Sequence, residues 1–327
     1  MPRPRVVVVE RMDMTGVELL KKECDVVELY ERPGEALEQH LPEAEGLVVR
    51  IARLGADRIA LAPKLRVIGK HGIGVDNVDL AAATERGVHV VFTPGSNQEA
   101  VAEHALTLML MLARRVEDAV RRARAGEFEA GRNAPPGIDL LGRTLGLVGM
   151  GRIGGRLAEI CRAAFRMRVL AFDPYVSPER SRELGVERVD ALDPLLEQAD
   201  FVSIHAPLTP ETRHVIGAAQ LSRMKPTAYL INCARGGLVD EAALVEALKG
   251  GTIAGAGIDT FDQEPPDPGN ELLRLPSCIV TPHVAGASQE ARVQTSRMVA
   301  EEVLRVLNGQ PPRYSYNPEL SAAGARC

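Results

Sequence analysis

Short β-branched runs alternate with amphipathic stretches from the first residues onward, at 5–9, 26–30, 46–49, 66–69 and 88–91. That rhythm predicts βαβ units and a parallel sheet. A second series follows at 144–148, 168–172, 201–204, 227–231, 254–258 and 278–280. Two open α/β sheets are therefore expected.

Between the two series lies Ser96-Asn97-Gln98-Glu99, which reads as a capping box in which the serine and glutamate each satisfy an orphan N–H at a helix start. A long helix is expected to run from there through Ala100 to about Arg124. Its apolar segment 105–113 exceeds what one exposed helix face requires, which fits a buried core helix and a subunit interface equally. The stretch 131–142, with its glycines and prolines, reads as a loop into the second sheet. A last helix is expected over about 287–307, stopped by Asn308-Gly309 and Pro311-Pro312. The tail 313–327 has little pattern, and the chain carries neither repeats nor low-complexity segments.

A chain of 327 residues suggests two domains. Its 45% hydrophobic and 25% charged residues are ordinary for a globular protein and exclude a disordered or fibrous chain. A net charge of −5 offers no positive field for a phosphate backbone, so no nucleic-acid partner is expected. The five cysteines, Cys24, Cys161, Cys233, Cys278 and Cys327, are odd in number, widely spaced and free of C-x-x-C pairs. This argues against a disulfide framework or a zinc site and fits a reducing cytoplasm; no metal is expected. The first apolar run, Val6 to Val9, is too short for a signal peptide, and 105–113 is about half of the ~20 residues a membrane span needs. No membrane insertion is expected.

Gly149-Met150-Gly151-Arg152-Ile153-Gly154 follows the apolar run 145–148 and opens a helical pattern over 152–165, so strand and helix flank this G-x-G-x-x-G in the required order. Gly149 suits the tight turn and Gly151 the approach of a pyrophosphate to backbone N–H groups. Gly154 suits close helix–strand packing, and the helix N-terminus stabilises the anion. Asp173 ends the next strand, where an acid accepts hydrogen bonds from a ribose hydroxyl and repels a 2′-phosphate. No basic residue follows until Arg180, so NAD is favoured over NADP.

Three later strand ends carry Asn232-Cys233-Ala234-Arg235-Gly236-Gly237, Asp259-Thr260-Phe261-Asp262-Gln263-Glu264-Pro265 and Thr281-Pro282-His283-Val284-Ala285-Gly286. Ligands of open α/β sheets bind beyond these carboxyl ends. Alcohol oxidation needs a base for the hydroxyl proton while hydride leaves the same carbon, and histidine titrates near neutrality. A carboxylate beside it favours the imidazolium, and arginine offers a fork for a substrate carboxylate. Taken singly, His283 fits a helix-entry residue, Glu264 a solvated turn acid and Arg235 a surface ion-pair partner. Together, beside a dinucleotide fingerprint, they point to catalysis.

These segments, with the run Gly69-Lys70-His71-Gly72-Ile73-Gly74-Val75-Asp76-Asn77-Val78-Asp79, Val101-Ala102-Glu103-His104 and His205-Ala206-Pro207-Leu208-Thr209, resemble the D-isomer-specific 2-hydroxyacid dehydrogenase family over essentially the whole length. That family includes D-3-phosphoglycerate dehydrogenase and hydroxypyruvate/glyoxylate reductase. The resemblance implies an NAD-dependent oxidoreductase that interconverts a small D-2-hydroxy acid and its 2-oxo acid. It implies Arg235 for substrate binding and polarisation, His283 as acid/base and Glu264 as its partner. Around the cofactor it implies Arg152, Ile153, Asp173, Ala206, Cys233, Ala234, Asp259 and Gly286, together with Gly149, Gly151, Gly154, Arg235 and His283. It further implies a flavodoxin-like substrate domain from 1–98 and 288–327 and an NAD-binding Rossmann domain from 99–287. The amides of Ile73 and Gly74 would hold the substrate carboxylate in the interdomain cleft. A homodimer through the NAD-binding domain is implied as well, which tips the 100–124 region towards an interface.

Phosphoglycerate dehydrogenases usually carry arginine at the position matching Lys70; lysine keeps the charge and loses the fork. Arg50 resembles their substrate-facing arginine. The two cations, Arg50 and Lys70, hint at an anionic group beyond the carboxylate, with solvated surface charge as the other reading. The extra regulatory domain that many phosphoglycerate dehydrogenases carry is not expected here, and neither is serine feedback through one. Hydroxypyruvate, glyoxylate, 3-phosphohydroxypyruvate and longer or sulfonated 2-oxo acids all fit. Two rival functions resemble the same family. Formate dehydrogenases pair the histidine with glutamine, whereas this chain has Glu264; NAD(H)-sensing corepressors keep the same residues and are set apart by turnover.

Overall fold

The computed structural model describes residues 3–320. The chain divides into two compact units, Met1–Asn97 with Ala287–Cys327, and Gln98–Gly286. Cys327 and the end of the tail lie outside the described residues.

The first unit is built on β1 (Arg5–Val8), β2 (Asp25–Glu28), β3 (Gly46–Val49), β4 (Val67–Lys70) and β5 (His89–Val91). All pair in parallel in the order β2-β1-β3-β4-β5, the flavodoxin-like arrangement. Successive side chains leave opposite faces, so Val7, Leu47, Val49, Ile68 and Val90 enter one core while Val6, Val8, Val48, Val67 and Val91 enter another. The second core is closed by the helix Gln289–Leu307 through Val299, Val303 and Leu304.

The second unit holds β6 (Thr144–Val148), β7 (Arg168–Phe172), β8 (Glu187–Arg188), β9 (Phe201–Ile204), β10 (Tyr229–Asn232), β11 (Gly255–Ile258) and β12 (Cys278–Val280). The order β12-β11-β10-β9-β6-β7-β8, again all parallel, is that of a Rossmann sheet. Its topological switch lies between β6 and β9, where a dinucleotide crevice forms. Leu145 and Leu147 pack against the helices Gln98–Ala113 and Arg152–Phe165. Val148, Val202, Ile204 and Leu230 face Leu195, Leu221, Leu244 and Leu248 on the other side.

The strands fall where the pattern predicts them, except for the two-residue β8, which is too short to carry a period. The helical expectations need three corrections. First, Ser96 is no cap: its hydroxyl donates to Thr93 O (2.9 Å) and accepts from Thr295 Oγ1 (2.8 Å), while Glu99 pairs with Arg156 (2.7 Å). Second, the helix from Gln98 ends at Ala113, because Ile138 N–H takes the Ala113 carbonyl at 2.8 Å and Gly137 lies against Arg114 so closely that a Cβ there would stand 2.8 Å from its Cα. Arg115 then turns left-handed (φ 51°) and a separate helix, Val116–Arg124, begins. Third, a short helix, Phe128–Arg132, occupies the start of the expected loop. In this unit Gln98–Ala113 is a core helix, with Ala102, Ala105, Met109 and Ala113 fully covered.

Candidate active site

The glycine loop after β6 is shaped by what its glycines exclude. Gly149 has φ 93°, and a Cβ there would stand 2.7 Å from Ala206 N, so the loops after β6 and β9 meet backbone to backbone at the switch point. At Gly154 a Cβ would stand 2.5 Å from Gly149 O, which holds the following helix tight against the turn. Gly151 is the opposite case: a Cβ there would meet nothing within 4 Å. That open cradle sits at the start of the helix Arg152–Phe165, whose first turn has neither a side-chain cap nor an acidic residue. Uncapped N–H groups, the helix dipole and open space above a glycine fit a pyrophosphate. Arg152 is exposed and Ile153 half-buried beside it.

Asp173 follows β7, and its two oxygens accept Met150 N–H (2.8 Å) and Tyr175 N–H (2.9 Å). The carboxylate is thereby tied to the glycine loop with a lone pair left on each oxygen, and it fits a ribose diol. Ala206 begins the loop after β9, where His205 contacts Ser203 Oγ at 2.9 Å.

Three further loops leave the carboxyl ends of β10, β11 and β12. Buried Asn232 grips the first, donating to Arg235 O (2.8 Å) and accepting from Ala234 N–H (3.1 Å). A Cβ on Gly236 would lie 1.9 Å from Phe261 C, so only glycine lets the Arg235 loop pack on the Glu264 loop. Glu264 Oε1 accepts Phe261 N–H at 3.1 Å and Oε2 meets His283 Nδ1 at 2.7 Å. Desolvation pushes the Glu264 carboxyl up. The His283 hydrogen bond and charge, the Phe261 N–H and the Arg235 charge outweigh it, so Glu264 titrates below its ordinary value.

His283 is itself left-handed (φ 52°), an uncommon conformation for a residue with a Cβ. Its N–H donates to Asp259 O at 2.8 Å. The fully buried Asp259 carboxylate accepts Val284 N–H and Ala285 N–H, each at 2.9 Å, pinning the next two residues. With Glu264 on Nδ1, that nitrogen carries the proton, and Nε2 has no protein partner among the described residues. Cys233 is buried and its thiol is pushed up by desolvation and by Asp259, so it is unreactive. Gly286 closes this segment of the unit.

Arg50, Lys70, Ile73 and Gly74 lie in the first unit, at the carboxyl ends of β3 and β4. Arg50 is exposed, and its loop is clamped by Glu10, whose carboxylate accepts the N–H groups of Arg50 (2.9 Å), Ile51 (2.8 Å) and Ala52 (2.5 Å). Lys70 is buried, and its ammonium donates to Arg50 O and to Asn77 Oδ1 (2.6 Å), so it also braces that loop. The N–H groups of Ile73 and Gly74 make no hydrogen bond among the described residues, while Ile73 O accepts Tyr316 Oη at 2.8 Å. Sequence reasoning passed over Glu10, Asn232 and the Asp259 amide contacts; only Asn232 and Asp259 stood within a segment that the motif marked.

A family model described as D-isomer specific 2-hydroxyacid dehydrogenase, NAD binding domain, matches residues 106–285. The chain belongs to that family. The D-3-phosphoglycerate dehydrogenase of Archaeoglobus fulgidus is 41% identical over 315 residues, 96% of this chain and 59% of that protein. The glyoxylate reductase of Korarchaeum cryptofilum is 40% identical over 324 residues, 97% of each. The crystal structure of an NADPH-dependent glyoxylate/hydroxypyruvate reductase from Sinorhizobium meliloti, in complex with NADP and malonate, is 31% identical with a TM-score of 0.84, covering 97% of both chains. This chain spans 59% and 58% of the length of the phosphoglycerate dehydrogenases from Archaeoglobus fulgidus and Methanocaldococcus jannaschii. In this family the cofactor is a nicotinamide dinucleotide, and the glycine loop and Asp173 lie within the matched NAD binding domain. Among the described residues, no helix is long and apolar enough to cross a membrane.

Proposed function

We propose that the protein is an NAD-dependent dehydrogenase that interconverts a small D-2-hydroxy acid and its 2-oxo acid. The observation that carries this reading is the His283 Nδ1 to Glu264 Oε2 contact of 2.7 Å, which leaves Nε2 available for a substrate proton. Gly149, Gly151, Arg152, Ile153, Gly154, Asp173, Ala206, Cys233, Ala234, Asp259 and Gly286 line the cofactor in this reading. When bound, the nicotinamide ring supplies or accepts the hydride at the substrate C2.

The protein's own part is acid–base and electrostatic. In reduction, protonated His283 donates from Nε2 to the oxygen developing at C2, while Glu264 stabilises the imidazolium and fixes its orientation. In oxidation Nε2 accepts the hydroxyl proton. Arg235 binds the carboxylate and polarises the carbonyl, and the unpartnered amides of Ile73 and Gly74 are further carboxylate donors. Arg50 faces solvent and is the cation suited to a distal anion; Lys70 contributes by holding its loop. NADH oxidation against a panel of 2-oxo acids tests the reading. Turnover of hydroxypyruvate, glyoxylate or 3-phosphohydroxypyruvate supports it, whereas tight NADH binding with no turnover on any of them supports an NAD-sensing binding protein.

A homodimer through the NAD-binding domain is part of the proposal. It is supported by Val116, Val120, Phe128 and Leu141, apolar residues 37–64% exposed on and beside the helices Val116–Arg124 and Phe128–Arg132. Phe128→Asp should shift the molar mass in light scattering from two chains to one. A cytoplasmic location fits Cys24, Cys161, Cys233 and Cys278, all buried and unpaired.

A further inference from the structure

His104 lies on the helix Gln98–Ala113, outside the three loops, yet its Nε2 sits 3.1 Å from Thr281 Oγ1 and 3.7 Å from Asp259 Oδ1. The Thr281 hydroxyl donates its single proton to Asp259 Oδ1 at 2.5 Å. Towards His104 that oxygen can therefore only accept, and Nε2 must carry a proton. A chain of donors results: His104 Nε2–H donates to Thr281 and Thr281 O–H to Asp259, whose carboxylate also accepts the amides of Val284 and Ala285 that follow His283. The same Asp259 accepts the His283 N–H on its carbonyl. The helix carrying His104 packs on β10, β11 and the helix Arg152–Phe165, so the chain's first donor stands on a rigid element.

We infer that His104 is a positioning residue for the acid–base loop, acting through Thr281 and Asp259; this rests on the dehydrogenase reading above. Without the His104 donor, the Thr281 hydroxyl is free to rotate away from Asp259, and the carboxylate that holds Val284 and Ala285 loses an anchor. His283 sits in a left-handed conformation that the loop must enforce, so loosening that anchor misplaces Nε2 first.

The test has two arms. In the protein without added nucleotide, long-range ¹H–¹⁵N spectra should give His104 as the Nε2–H tautomer, with an exchange-protected imidazole N–H that Thr281→Val abolishes. The Nδ1–H tautomer, or a spectrum indifferent to Thr281→Val, overturns the inference. In steady-state assays, His104→Leu should lower kcat about tenfold with the KM values for NADH and 2-oxo acid held within about twofold, the pattern of a misplaced proton donor. His104→Gln, which restores a donor at the Nε2 position, should recover kcat to within about threefold, and Thr281→Val should match His104→Leu with the double variant no worse than either. Wild-type kcat in His104→Leu, or additive losses in the double variant, overturns it. Should His104→Leu fail to fold, Thr281→Val carries the same expectation. Wild-type protein inert towards every 2-oxo acid would sink the dehydrogenase reading instead, and the tautomer would then decide the network by itself.

Discussion

His283 Nδ1 and Glu264 Oε2 stand 2.7 Å apart, although the loops that carry them leave different strands. The contact fixes the imidazole's tautomer and leaves Nε2 without a protein partner among the described residues, and in the proposed dehydrogenase Nε2 is the reactive nitrogen. Replacing His283 by alanine should therefore lower kcat by about 10²–10⁴-fold, the usual worth of a positioned acid–base group, with NADH affinity nearly unchanged. Stopped-flow turnover and fluorescence titration of NADH check the two halves. Near-normal turnover would move the proton donor elsewhere.

Glu264 titrates below its ordinary value of 4.5 in the folded protein. A carboxyl depressed on folding contributes stability that is complete above the unfolded value and is lost as pH falls through the folded one. The stability gap between wild type and Glu264→Gln should hold steady from about pH 6 to about 4.5 and narrow below, as followed by denaturant titration. A gap that widens on acidification would contradict the assignment.

Asp173 holds Met150 N–H and Tyr175 N–H, and in the proposed dehydrogenase its remaining lone pairs bind the ribose diol. NAD(H) should exceed NADP(H) in kcat/KM by at least about tenfold, one charge repulsion beside a half-buried carboxylate being worth that much. Asp173→Ala should narrow the ratio, mainly by weakening NAD. Equal use of the two cofactors by the wild-type protein would defeat the prediction.

Thr260 is 1% exposed, and its hydroxyl has no hydrogen-bond partner among the described residues. Valine has the same shape without the buried polar atom. Thr260→Val should raise stability by about 1 kcal/mol, read as an upward shift of Tm, with kcat unchanged. A lower Tm would mean that the hydroxyl is satisfied in solution.

What the chain's pattern determined by itself was everything written in local periods and short motifs. Short apolar runs placed β3, β6, β7, β9 and β12 to the residue, because burial on both faces and the backbone period act over neighbouring positions. The glycine spacing after β6 announced the dinucleotide loop, and Asp173, Arg235, Glu264 and His283 were legible as polar residues at strand ends. Tertiary structure decided which of these groups meet. The 19-residue separation of Glu264 and His283 says nothing of a 2.7 Å contact until β11 and β12 pair in parallel register. The expected capping box failed for the same reason, since Ser96 found Thr295 from a distant helix in place of its own helix start. The patternless tail is the clearest case. Ser315 bridges to Val91, Asn317 accepts Val90 N–H at 3.0 Å, and the Tyr316 ring lies 4.4 Å from that of Phe92, so the segment finishes the edge of the first sheet. Those partners lie more than two hundred residues away, and hydrogen-bond demand at a sheet edge leaves no period in the segment that satisfies it.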